Sequence, residues 1–241
     1  MAMKNSIFTL NRFLKKQFSL KADVKAESGI GVLIIFIALV LVAAVAASVL
    51  IHTAGILQQK ASSTGTTTIN QVSTGIVINQ ILGYDSSNPP EAGGIQFLAI
   101  LVTDNSGGNS INMANTTLTL TLHGVTAVLI YNSSVFTSVA QTGTSSLFGS
   151  TVWNNLSSSH NNPTSFGIFV ISDPSHSLNA KYPVLSPGSQ AAIILNVTNT
   201  FGTNLTQNTH VSGQITPQIG IPALVNFVAP EAFLNHAMTL Q

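Results

Sequence analysis

The chain has 241 residues, no cysteine and only 6% charged residues, with a formal net charge of +1. Disulfide staples and thiol chemistry are therefore excluded, and so is the basic footprint that holds nucleic acid. The charge is unevenly placed: six of the eight basic residues (Lys4, Arg12, Lys15, Lys16, Lys21 and Lys25) precede residue 27, leaving two basic against six acidic residues, a net −4, beyond it.

Residues 1–26 read as a basic leader and stand apart from the fold. Next comes SGIGVLIIFIALVLVAAVAASVLIHTAGILQQK, in which residues 30–51 are 22 uncharged residues, 15 of them Ile, Leu, Val or Phe. At 1.5 Å per residue this is about 33 Å of helix, enough to cross a bilayer's hydrocarbon core. The insertion gain of those side chains is about 6 kcal/mol, and the basic leader before them is held on the cytoplasmic side. Apolar all round, the helix needs lipid or other apolar helices about it. Two other readings fit the same stretch: a secretory signal cut at Ala44-Val45-Ala46, which would lose the helix, and a plain one-span anchor. Small residues recur four apart at Ala43/Ala47 and Ala44/Ser48, a spacing that lets helix backbones approach closely. Past Thr53 the pattern turns mixed, and Thr66-Thr67-Thr68 predicts a weakening helix beyond Gly65.

The segment KAESGIGVLIIFIALVLVAAVAASVLIHTAGILQQKASSTG, followed by QVSTG, resembles the N-terminus of archaeal flagellins (archaellins) over about residues 25–75. These are subunits of the archaellum, a rotating filament assembled by machinery similar to that of type IV pili. The resemblance implies a leader removed by a prepilin-peptidase-like membrane protease. The cut would fall between Ala26 and Glu27, after Lys25-Ala26, leaving Gly29 at the third mature position; Ala26 stands where the family commonly has Gly. It further implies a helix over residues 27–72 that is transmembrane before assembly and filament core afterwards. An assembly ATPase and a membrane platform are the implied partners.

The stretch STGIVINQILG (73–83) is read as a first strand, and Asp85-Ser86-Ser87-Asn88-Pro89-Pro90 as a turn. Short apolar runs follow at 95–102, 116–124, 126–131, 166–171, 190–198, 210–215 and 223–229. In Thr117-Leu118-Thr119-Leu120-Thr121-Leu122 the alternation is strict, so leucines face a core and threonines face water. Punctuated runs of this kind predict an antiparallel, Ig-like β-sandwich over residues 73–241. The fold class is then α+β: a long hydrophobic N-terminal helix and a sandwich domain. Archaellins likewise carry a β domain outside a helical core.

Catalytic chemistry finds little material. The six histidines (His52, His123, His160, His176, His210 and His236) have no paired spacing for zinc. Gly143-Thr144-Ser145-Ser146-Leu147 lacks the second glycine of a nucleophile elbow, and there is no phosphate loop. No enzyme activity and no cofactor are expected. Asp104, Asn105 and Asn109 surround a glycine turn whose oxygens would accept Ca²⁺, although such a string between strands is ordinary turn chemistry. Five sequons, at Asn115, Asn132, Asn155, Asn196 and Asn204, all lie in the exterior half and are expected glycosylation sites. Asn132 and Asn155, in turn-like sequence, rank highest, and Asn196, after the apolar run 191–195, ranks lowest. The expected function is a self-polymerising subunit of an extracellular swimming filament, held in the cytoplasmic membrane as a precursor. An adhesive type IV-like pilin and a membrane-anchored surface or solute-binding domain are the alternatives.

Overall fold

A computed structural model of the chain describes residues 2–87, 93–105, 107–139, 147–149, 153, 156 and 163–241, the side chains of 2–11 and 13–27 excepted. The chain divides into two compact units, Met1–Thr64 and Gly65–Gln241.

Helix α1 is continuous over Ala2–Ser73, 72 residues. The first proline of the sequence is Pro89, so nothing before it removes a helical N–H or clashes with a preceding turn. Gly29, Gly31, Gly55 and Gly65 each cost roughly 1 kcal/mol relative to Ala, too little to break so apolar a run. The threonines at 66–68 do not interrupt it, and it runs to Ser73, one residue past the expected bound of 72.

The second unit is one nine-stranded, mostly antiparallel sheet beside a two-stranded ribbon. Its strands are β1 (Ile76–Tyr84), β2 (Phe97–Asp104), β3 (Ile111–Asn112), β4 (Thr117–Leu122), β5 (Val125–Ser138) and β6 (Ser165–Ser172). They continue with β7 (Val184–Leu185), β8 (Gln190–Asn196), a one-turn helix α2 (Val197–Phe201), β9 (His210–Thr216), β10 (Ala223–Val228) and β11 (Ala237–Thr239). The large sheet runs β10-β9-β4-β5-β6-β8-β2-β1-β11, with β3 and β7 forming the ribbon. Among the strands of the described residues, β5 and β6 alone pair in parallel, with a register shift between Tyr131 and Phe136.

The two ends of this order meet. Gly75, entering β1, bridges Ile221, entering β10, so the sheet curls into a half-barrel. Its concave face holds the main core, including Leu118, Leu120 and Leu122 of β4, Phe166 and Ile168 of β6, and Ile193 and Leu195 of β8. On the convex face of the central strands, Ala99, Phe169, Ala192 and Ile194 are covered by Trp153 and Leu156. Strands β2, β6 and β8 are thus buried on both sides, which is why their sequences read as unbroken apolar runs and not as alternation.

The expected Ig-like sandwich of two sheets is corrected to this single curled sheet. Each strand turns by about 20–25° against its neighbour, and over nine strands that twist folds one sheet around its own core. Alternation says that a strand has an inside, not whether a second sheet or the same sheet supplies the opposite wall.

Candidate functional site

The most unusual surface of the molecule is the apolar stretch of α1. Ile30, Phe36, Leu41 and Ile51 all stand exposed, and none of the 18 most apolar residues is buried against the chain itself. Ala43, Ala44, Ala47 and Ser48 are exposed as well, giving the narrow, side-chain-poor strip expected of them. Thr53, the polar residue nearest the apolar run's end after His52, folds its hydroxyl back to donate to the carbonyls of Val49 (2.9 Å) and Leu50 (3.0 Å). A hydroxyl satisfied within its own helix can enter an apolar environment without leaving a bare donor. Chemically this surface can do one thing, which is to associate with lipid or with like helices.

Where α1 ends, the sheet grips it. Asn105 donates its backbone N–H to Gly75 O (2.9 Å) and its side-chain amide to Ser73 O (3.4 Å). Asn109 N donates to Thr74 Oγ1 (3.0 Å), and Ile221 N donates to Thr74 O (2.9 Å). The Asn105 amide thereby supplies a partner for Ser73 O, a carbonyl that the helix end leaves orphaned, and the other bonds fix the two residues that follow it. Gly108 packs so closely that a Cβ there would lie 2.9 Å from both Ser73 O and Thr74 Cα. Gly220, at φ +117°, presses on Thr74 from the other side, where any side chain would run into the Thr74 carbonyl. Sequence reading missed this collar; its only sequence traces are two glycines in strings that otherwise look like plain turns.

The Asp104-Asn105-Asn109 string is therefore employed as that collar. Asp104 itself is buried, at 8% exposure, and neither carboxylate oxygen has a hydrogen-bond partner among the described residues. Burial pushes its pKa up, and the Asn105 amide opposes that shift without closing a hydrogen bond. Among the described residues no three His, Cys, Asp or Glu gather to hold a metal ion.

Asp173, just after β6, is built the other way. Burial raises its pKa, but Leu178 N (2.8 Å), the hydroxyls of Ser189 (2.9 Å) and Ser175 (3.1 Å) and the backbone N–H of Ser177 outweigh it and hold the carboxyl below its ordinary range.

The sequons separate by what their amides already do. Asn132 Oδ1 accepts from Ser134 N (3.0 Å), an Asx turn within the sequon itself, and its amide nitrogen has no partner among the described residues. Asn115 is exposed and donates one amide hydrogen to Gln218 Oε1 (2.9 Å). Asn196 caps α2 by accepting from Asn199 N (2.9 Å). Asn204 is tied at both ends, donating to Gly93 O and accepting from Thr198 Oγ1, which places it below Asn196. Asn155 lies outside the described residues. Lys25, Ala26, Glu27 and Gly29 lie in the unbroken backbone of α1.

The family pattern described as archaeal-type flagellin matches residues 26–227. The chain belongs to the archaeal-type flagellins. It is 46% identical to Flagellin B1 of Thermoplasma volcanium, the match covering 96% of this chain and 99% of that one. With Flagellin B2 of Methanocaldococcus jannaschii it shares 37% identity, over 94% and 99% of the two chains. The crystal structure of archaeal flagellin FlaB1 from the same organism superposes with a TM-score of 0.61 at 28% identity, covering 70% of this chain and 97% of that one. The archaeal flagellum of Methanospirillum hungatei shares the fold, with a TM-score of 0.59 at 16% identity over 87% and 98%. As an archaeal flagellin the chain is a filament subunit of the archaellum, a self-polymerising structural protein of an extracellular appendage and not an enzyme.

Proposed function

We propose that this flagellin polymerises through α1, after a membrane-held precursor loses residues 1–26, into the filament that cells rotate to swim. The observation that carries the reading is the exposed apolar belt of α1, which the chain leaves uncovered. In lipid it rests at no net cost, so assembly must gain from the close helix packing that Ala43, Ala44, Ala47 and Ser48 permit. Outside the membrane the exchange cannot be undone cheaply. About 1,000 Å² of apolar helix exposed to water would cost on the order of 25 kcal/mol.

Supporting the leader reading, the family match begins at residue 26, next to the expected bond between Ala26 and Glu27. A prepilin-peptidase-like protease would make that cut, and an assembly ATPase with its membrane platform would extrude the subunit. N-glycans belong on Asn132 and Asn115 first, and not on Asn204, whose amide is already engaged. Electron microscopy and swimming assays of cells lacking the gene test the function: intact filaments would refute it, and filaments needed for attachment but not for swimming would make it a pilin. N-terminal sequencing of shed filaments should begin at Glu27. Their intact mass should exceed that of bare residues 27–241, and equality would remove the glycans from the proposal.

A further inference from the structure

At the end of the β4–β9 ladder away from the collar, the fold brings together two histidines that are far apart in sequence. The ladder closes with Leu122 opposite Val211, so the residues just beyond them, His123 and His210, reach the same rim of the sheet. Both are exposed, and both line one open pocket of about 420 Å³ whose walls include Thr121, Asn208 and Ser212. Among the described residues no Asp, Glu, Lys or Arg lines it. His210 is held in a set orientation: its Nε2 lies 2.7 Å from Oδ1 of Asn226, on the neighbouring strand β10. An amide oxygen only accepts, so Nε2 carries the hydrogen and the neutral ring keeps its lone pair on Nδ1. His123 stands with Gly124 in the two-residue turn between β4 and β5, at φ +50° and +79°. Such a mirror-image turn favours Asn, Asp or Gly at its first position, so an imidazole there is not what the turn itself asks for.

We propose that His123 and His210 form an open two-imidazole site for a divalent transition ion with the ligand preferences of Cu²⁺, completed by water and by the hydroxyls of Thr121 and Ser212. The donor set decides the ion. Ca²⁺ and Mg²⁺ rely on carboxylate and carbonyl oxygens, and this pocket offers no carboxylate. A closed zinc site takes four nitrogen or sulfur ligands, and only two are at hand. Two nitrogens with oxygen donors in the remaining positions suit the tetragonal geometry of Cu²⁺, which also binds such ligands more tightly than the other first-row divalent ions. Asn226 is the positioning residue: by taking the hydrogen of Nε2 it fixes which nitrogen of His210 is left to bind, as carbonyls and carboxylates do behind many metal-bound histidines. Both histidines belong to one subunit, so the site is independent of polymerisation through α1.

The absence of cysteine removes thiols as competing ligands. Full-length subunit in detergent is titrated with Cu²⁺ alone at neutral pH, affinity being read by calorimetry and ligand type by electron paramagnetic resonance. One ion per chain is expected, with the splitting of two nitrogen ligands. His123→Asn or His210→Gln should each lower the affinity at least tenfold and reduce the splitting to that of one nitrogen. Asn is a favoured residue at the first position of this turn, so His123→Asn removes the imidazole without asking the turn to refold. Asn226→Ala should weaken binding about tenfold with both nitrogens still in the spectrum; unchanged affinity there would overturn its positioning role. His176→Gln and His236→Gln, which lie outside the pocket, should bind as the unaltered chain does. Affinity that survives both His123→Asn and His210→Gln would mean an adventitious ion only and overturns the proposal, as does a one-nitrogen spectrum in the unaltered chain.

Discussion

Asp104 and Asp173 sit at strand ends of one sheet and respond to pH in opposite senses. Asp104 has a raised folded pKa, so its contribution is fully favourable below the unfolded value of 3.8 and is lost as pH rises through the folded value. Among the described residues no donor bonds its carboxylate oxygens, and Asp104→Asn should stabilise the subunit at pH 7 and change little at pH 3. Asp173 has a lowered folded pKa, so its contribution is present above 3.8 and is lost as pH falls through the folded value. Asp173→Asn should lower the melting temperature at pH 7 and leave it nearly unchanged at pH 2. Thermal unfolding of detergent-solubilised subunit at the three pH values checks both; equal shifts at all pH values would contradict the assignment. Neither behaviour was legible in the sequence. The Asp104-Asn105 string looks like a turn or an ion site because Ser73 and Gly75, to which Asn105 donates, lie some thirty positions away. The serines around Asp173 look like mere composition until β8 brings Ser189 back to them.

Periodicity decides how much of each element can be read in advance. The helix and eight strands declare themselves, because an uninterrupted apolar run or a Leu/Thr alternation has one physical interpretation. Strands β3 and β7 have two residues each and β11 has three, too short to show any period, and they exist only because partners pair with them. The parallel β5–β6 pairing is equally silent, since side-chain alternation is the same in both directions. Two substitutions test what the elements do. Val40→Asp adds roughly 3 kcal/mol to the insertion of α1, about half of its favourable total, so the helix should still enter the membrane. In a packed helical core the same carboxylate is buried without a partner in every subunit, at several kcal/mol each. Processed subunit should therefore accumulate in the membrane fraction with no filaments by electron microscopy, and normal filaments would show that α1 does not form a core. At the other end of the helix, Gly220→Ala forces a side chain onto the Thr74 carbonyl at φ +117°. Strain of about 1–3 kcal/mol is expected, read as a lower unfolding temperature, and an unchanged temperature would mean that the collar can open without penalty.

At the scale of the whole molecule, the scarcity of charge is what sets the behaviour of the polymer. Residues 27–241 retain Lys60 and Lys181 as their only basic residues against six acidic ones. Two of the six are accounted for locally: Asp104 is buried and Asp173 is ringed by hydroxyls and an N–H. Few charges remain to form ion pairs between copies, and the apolar helix has none between residues 30 and 51. Raising ionic strength from 0.01 M to 1 M shortens the screening length from about 30 Å to about 3 Å, which dissolves contacts that depend on surface charge. Contacts made by apolar burial respond only weakly, and in the opposite direction when the salt is excluded from protein surfaces. The fraction of filament sedimenting at pH 7 should therefore stay constant between 0.01 M and 1 M NaCl and rise, if it changes, in sulfate. A mild detergent, which offers α1 a substitute for its neighbours, should release subunits at any salt concentration. Dissociation by NaCl alone would place ion pairs, and not helix packing, at the centre of the assembly.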